Sequence, residues 1–116
     1  MKFQGSCHCG AITFEFEGPE ITSGLKCNCS ICRRKGALMT PYMIASSDMH
    51  ISDTEGTLST YEFGTKVAKH HFCNRCGIYT FHQTLRAPGH YRANIGCLEG
   101  IESTNLVFDV FDGASL

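Results

Sequence analysis

The 116-residue chain has no long apolar run, little proline and almost no net charge. No stretch approaches the ~18 apolar residues that cross a bilayer as a helix. Three prolines beside 12 glycines, with 42% hydrophobic residues, exclude a proline-rich or disordered chain. A net charge of −1 and a pI near 6.6 leave no electrostatic footprint for nucleic acid or an anionic membrane. The opening residues, Met1 to Cys9, lack the apolar region of a secretory signal. The expectation is therefore a soluble cytoplasmic protein with neither nucleic acid nor membrane as partner. Its length fits one domain, residues 1–116, whose modest core would gain from a staple.

Helical periodicity is missing as well: nowhere do apolar residues recur at helical spacing over three turns. What is there alternates. Ile12, Phe14 and Phe16 fall on one side and Thr13, Glu15 and Glu17 on the other, which predicts a half-buried strand over Ala11–Glu17 closed by the Gly18-Pro19 turn. Further short strands are predicted at 21–25, 38–45, 57–63, 67–72, 78–82, 91–95 and 106–111. Pro41 marks the 38–45 segment as an edge or a bulge. After Cys32 the run Arg33-Arg34-Lys35, stopped by Gly36, has room for no more than a helical turn. The expected class is all-β, with two antiparallel sheets.

The chain is rich in one residue, cysteine, with eight. Their spacing separates metal from disulfide chemistry. They fall as Cys7-x-Cys9, Cys27-x-Cys29-x-x-Cys32 and Cys73-x-x-Cys76, with Cys97 alone. Thiols two residues apart make strained disulfide partners, and clustered thiols without an export signal point to metal or redox chemistry. Cys73-x-x-Cys76-Gly77 is a zinc-knuckle sequence that supplies two ligands; Cys7-x-Cys9-Gly10 is its natural complement. Together they make a closed four-thiolate site that staples the start of the chain to its later half. Cys27, Cys29 and Cys32 form a separate group of three, the protein ligand count of a catalytic zinc. Three thiolates on Zn²⁺ leave the unit at net −1, which suits activation of an incoming thiol better than hydrolysis.

Two alternatives stand beside this reading. Cys97 as a fourth ligand would make the second zinc structural too, while Cys97 as a small buried hydrophobe would leave the triad as it is. An iron–sulfur cluster lacks a ferredoxin spacing. A zinc deaminase needs His-x-Glu and Pro-Cys-x-x-Cys, neither of which occurs, and a thioredoxin-type CxxC needs a βαβ unit.

Gly5-Ser-Cys-His-Cys-Gly-Ala-Ile-Thr-Phe14, Cys27-Asn-Cys-Ser-Ile-Cys-Arg-Arg-Lys-Gly36, His71-Phe-Cys-Asn-Arg-Cys-Gly-Ile-Tyr-Thr-Phe81 and Asn94-Ile-Gly-Cys-Leu-Glu-Gly100 occur in this order. In them the chain resembles the glutathione-dependent formaldehyde-activating enzyme family, which also contains the centromere protein V domains. The resemblance implies an Mss4-like fold and two Zn²⁺ per chain. One would be structural, on Cys7, Cys9, Cys73 and Cys76, and one of catalytic type on Cys27, Cys29 and Cys32. It also implies a carbon–sulfur lyase that joins glutathione, or a related small thiol, to formaldehyde as the S-hydroxymethyl adduct. The competing class is a zinc-stabilised binding module without catalysis; the chromatin-reaching basic segments of the centromere relatives have no counterpart here.

Arg33 and Arg34, directly after the triad, are candidates for binding the two glutathione carboxylates, against the plainer reading of a solvated charge run. Lys35 belongs to the same run. His70 and His71 are expected near the knuckle without ligating, and His8 is expected to point away from the metal. The tyrosines and phenylalanines are read mostly as core.

Overall fold

A computed structural model describes residues 1–116. Its chain order is β1 (Lys2–Ser6), β2 (Thr13–Glu17), β3 (Ser23–Cys27), α1 (Ser30–Lys35), β4 (His50–Ser52), β5 (Leu58–Tyr61), β6 (Lys69–Cys73), β7 (Tyr79–Gln83), β8 (Tyr91–Ala93) and β9 (Val107–Phe111). Short 3₁₀ turns lie at Ser46–Asp48, Ile95–Cys97, Ser103–Asn105 and Gly113–Ser115. The class is all-β. One antiparallel sheet has the order β1-β2-β4 and another β5-β6-β7-β8, with a two-stranded parallel pair, β3-β9, beside them. No helix is long and apolar enough to cross a membrane.

The alternation in β2 is realised: Phe14 and Phe16 are buried while Thr13 and Glu17 face solvent. Phe16 lies opposite Phe3 of β1, their rings stacked at 5.2 Å, and Phe14 meets Phe81 of β7 edge-on at 5.3 Å. The first pair lies within one sheet and the second joins the two antiparallel sheets, around Ile12, Phe81 and Ile95, all fully buried. The two cysteine knuckles sit at the ends of the strand pairs that this core joins.

Two strands, β1 and β4, lie where no strand was expected from the pattern. The expected strand over 38–45 does not form. Met39 bridges both Leu25 and Asn94, and Ile44 bridges Tyr91. Pro41 has no N–H to continue a ladder, so the segment stitches β3 to β8 through separate bonds. Met39 and Leu25 exchange bonds of 2.9 Å, the Thr40 N–H donates to the Ala93 carbonyl at 2.9 Å, and the Ile44 N–H donates to the Tyr91 carbonyl at 2.7 Å. The expected helical turn after Cys32 is instead a six-residue helix that starts before it, at Ser30. Gly36 ends it in the left-handed region at φ 66°, with its N–H bonded to the Cys32 carbonyl.

Candidate metal centres and the groove beside them

Cys7 follows the last residue of β1 and Cys73 ends β6, and the chain turns the same way after each. The Cys7 N–H donates to the Ile12 carbonyl at 3.1 Å and the Cys73 N–H to the Ile78 carbonyl at 3.0 Å. Gly10 at φ 81° and Gly77 at φ 78° make both turns possible, since a β-carbon would be strained there. The result brings Cys7, Cys9, Cys73 and Cys76 together, their sulfurs all within 4.8 Å of one another. Cys9 Sγ is 3.7 Å from the sulfurs of both Cys7 and Cys73. Two metal–sulfur bonds of ~2.3 Å at a tetrahedral angle set sulfurs about 3.8 Å apart, so the donor set fits one tetrahedral ion. None of the eight cysteines is in a disulfide. The Ile12 N–H points at Cys7 Sγ at 3.4 Å, the type of contact that steadies a thiolate.

The second cluster is built differently. β3 delivers Cys27 at its end, Cys29 caps α1, and Cys32 sits in the first turn of that helix. These three sulfurs also lie within 4.8 Å of one another, and all three residues are half-buried. The Cys29 N–H reaches Cys27 Sγ at 3.5 Å. Asn28 anchors the loop to the C-terminal turn: its side-chain amide donates to Asp112 at 2.9 Å, and its carbonyl oxygen accepts from the Ala114 N–H at 2.9 Å.

Cys97 belongs to neither cluster. It stands in the turn Ile95–Cys97, packed against the core, its sulfur 3.7 Å from the Tyr79 carbonyl. Burial first, then the neighbouring Cys7 and Cys76, push its thiol up to about 11. Cys97 therefore lies beside the four-cysteine site and is not among the sulfurs gathered at the triad. His8 is exposed and outside both groups. His70 and His71 are buried and belong to neither cysteine group; His71 bonds Thr60 Oγ1 at 3.0 Å through Nδ1 and meets Gln83 at 3.1 Å through Nε2.

A groove of about 910 Å³ runs between α1 and the sheet. Ser30, Ile31, Arg34 and Lys35 form the helix side; Tyr61, Phe63, His70 and Tyr79 stand across from them. The three cysteines are not themselves in its lining. Tyr61 stacks on Phe63 at 5.7 Å and Phe63 on His70 at 5.9 Å, while Tyr61 and Phe63 remain about half exposed. Arg34 Nη1 donates to the Ser30 carbonyl at 2.7 Å, whereas Arg33 is exposed and outside the groove lining.

At the head of the groove Lys35 Nζ lies 3.1 Å from the Tyr79 hydroxyl and 3.2 Å from His82 Nδ1. The Tyr79 hydroxyl in turn meets His70 Nδ1 at 2.6 Å. Burial, with the Lys35 charge behind it, holds His70 down to about 4 and His82 far below the usual histidine range. Burial likewise raises Tyr79, so all three rings are neutral near pH 7. Burial lowers Lys35, while Cys32, the foremost of the three nearby cysteines, pulls it back up.

Sequence reasoning missed His82 altogether and left Tyr79 among the core tyrosines. The reason is a bulge. His71 faces Phe81 but Phe72 faces Tyr79, so β7 carries one extra residue, Thr80. That insertion turns Tyr79 and His82 to the same side, which a strict period of two would not allow.

Comparison with known proteins places this architecture. The sequence model described as glutathione-dependent formaldehyde-activating enzyme matches residues 2–112. A Halomonas elongata protein, whose name provisionally assigns it to the glutathione-dependent formaldehyde-activating enzymes, is 30% identical over 82 residues. That match covers 66% of this chain and 52% of the relative, so the chain spans about half the relative's length. A crystal structure of a Rhodobacter sphaeroides protein superposes with a TM-score of 0.81 at 37% identity, covering 91% of this chain and 99% of that one.

Proposed function

The chain belongs to the glutathione-dependent formaldehyde-activating enzyme family, and from that premise we propose that it is a zinc-dependent carbon–sulfur lyase. Its substrates in this reading are glutathione, or a related small thiol, and formaldehyde. The observation that carries it is the convergence of Cys27, Cys29 and Cys32 at the head of α1, apart from the four-cysteine cluster and beside a groove.

Cys7, Cys9, Cys73 and Cys76 hold a structural zinc in this account. Cys27, Cys29 and Cys32 hold the other, which supplies, when bound, the acidification of a thiol that joins the three sulfurs. Arg34 on the groove wall and Arg33 beside it are the groups for the two glutathione carboxylates. With its carboxylates fixed, the glutathione sulfur attacks the aldehyde carbon. One carbon–sulfur bond forms, the carbonyl electron pair moves to oxygen, and that oxygen takes up a proton. Run backwards, the same steps cleave the carbon–sulfur bond.

Exchange spectroscopy by NMR on a mixture of glutathione and formaldehyde tests this. The metal-loaded protein should speed interconversion of glutathione and its S-hydroxymethyl adduct beyond the spontaneous rate, and Cys29→Ser should not. No acceleration by protein carrying both metals would leave the non-catalytic binding module.

A further inference from the structure

We propose that Lys35 is a positioning residue whose ammonium serves as the fixed counter-charge of the cysteine triad. The proposal rests on reading the triad as a metal site.

Lys35 follows Cys32 by three residues on α1, so the two side chains share one helix face. It forms none of the protein's carboxylate ion pairs, which join Lys2 to Glu15, Lys69 to Glu62 and Arg75 to Glu55. The groups that hold it are both neutral: the Tyr79 hydroxyl at 3.1 Å and His82 Nδ1 at 3.2 Å, with the Tyr79 ring 4.2 Å beneath. They fix the ammonium without cancelling its charge. Tyr79 is fixed in turn by His70, and the β7 bulge aims Tyr79 and His82 at the same point.

A half-buried cation tied down by two neutral side chains and given no carboxylate needs an anion. The triad is the one beside it. Three thiolates on a divalent ion carry net −1, and a fourth, entering thiolate makes the unit −2. A cation held one helical turn away favours each of these states over the protonated, metal-free cysteines. Its effect should therefore be larger with the fourth thiolate present than without it. Arg33 and Arg34 are on the same helix, but Arg33 is exposed and Arg34 is tied to Ser30. Lys35 alone among the three is anchored across the groove to the sheet.

Cobalt(II) is the probe, titrated into metal-free protein in competition with a chelator and read by its sulfur charge-transfer bands. Wild type should take two cobalt ions, one tight and one weaker. Lys35→Met should weaken the second by about tenfold or more, and glutathione's effect on its bands by more again, while the tight ion is unchanged. Lys35→Arg should recover most of the loss, and Lys2→Met, an equal change of net charge at the start of β1, where Lys2 pairs with Glu15, should cause none. A second cobalt bound equally well by Lys35→Met, or equally badly by Lys35→Arg, overturns the proposal and leaves the triad's metal-site reading intact. A wild type that takes only one cobalt overturns both. If Lys35→Met fails to keep the β-sheet circular dichroism, Tyr79→Phe decides. It keeps charge and ring, should weaken the second ion roughly threefold, and refutes the proposal if it does not.

Discussion

Gly113 lies so close to Cys27 that a β-carbon on it would fall 2.5 Å from the cysteine sulfur. The C-terminal turn thus forms one wall of the triad, pinned there through Asn28. Gly113→Ala must push either the turn or the sulfur aside. Overpacking of this kind costs about 1–3 kcal/mol, and here the strain falls on a proposed metal ligand. Metal retained at the triad should drop in Gly113→Ala, while the four-cysteine site keeps its ion. Metal analysis after mild chelation checks this; full retention would mean that the wall is passive.

Seven cysteines in two groups that could each hold an ion set the metal content expected under the proposed function. Elemental analysis of protein purified without chelator should approach two zinc per chain, with the ion of the half-buried triad released first. One tight zinc, or iron with visible absorbance, would contradict the partition.

The two clusters differ in what they hold together. Cys73 is fully buried and ends a strand that runs into the core, whereas the triad spans the end of β3 and the start of the short helix α1 and is only half-buried. Cys73→Ser should therefore abolish or severely impair folding, since structural zinc contributes an apparent ~10–16 kcal/mol in small zinc peptides. Cys29→Ser should stay folded, lose one zinc and lose thiol chemistry. Thermal melts of both variants alongside metal counts decide between these outcomes.

Much of this site was legible in the sequence because cysteine spacing is a local quantity. CxCG and CxxCG each carry their own turn, so the four-sulfur cluster and the separate triad could both be read from residue types alone. The alternation of Phe14 and Phe16 likewise marked β2. The parts that escaped depend on geometry beyond neighbouring residues. Thr80 inserts into β7 and swings Tyr79 and His82 together; nothing in Tyr-Thr-Phe-His announces it. The 38–45 segment has strand composition, but its bonds go to two different partners. Cys97 could be placed only once the turn Ile95–Cys97 had been seen against the four-cysteine site. The cover over Cys27 comes from residues 84 and more positions later in the chain, through the parallel pairing of β3 with β9.

His70 and His82 set an acid limit on the fold. Both are held below the ordinary histidine pKa of about 6.5, so the unfolded chain binds their protons first as pH falls. Stability from this source is complete above pH ~6.5. It is lost through the window down to His70's pKa of about 4, and further below it for His82. Urea melts across this range should show stability falling with pH, with a shallower slope in His70→Gln. An unchanged slope would show that His70 takes up its proton as readily in the native state as in the unfolded chain.

Cobalt in place of zinc, with glutathione added, tests the central claim most directly, because sulfur-to-cobalt bands count the sulfurs around the ion. If three cysteines supply three donors and the thiol substrate the fourth, glutathione should strengthen those bands in the wild type. Cys97→Ala should respond in the same way, since Cys97 stands beside the other cluster. A wild-type spectrum indifferent to glutathione would contradict the account and leave both clusters as purely structural metal sites.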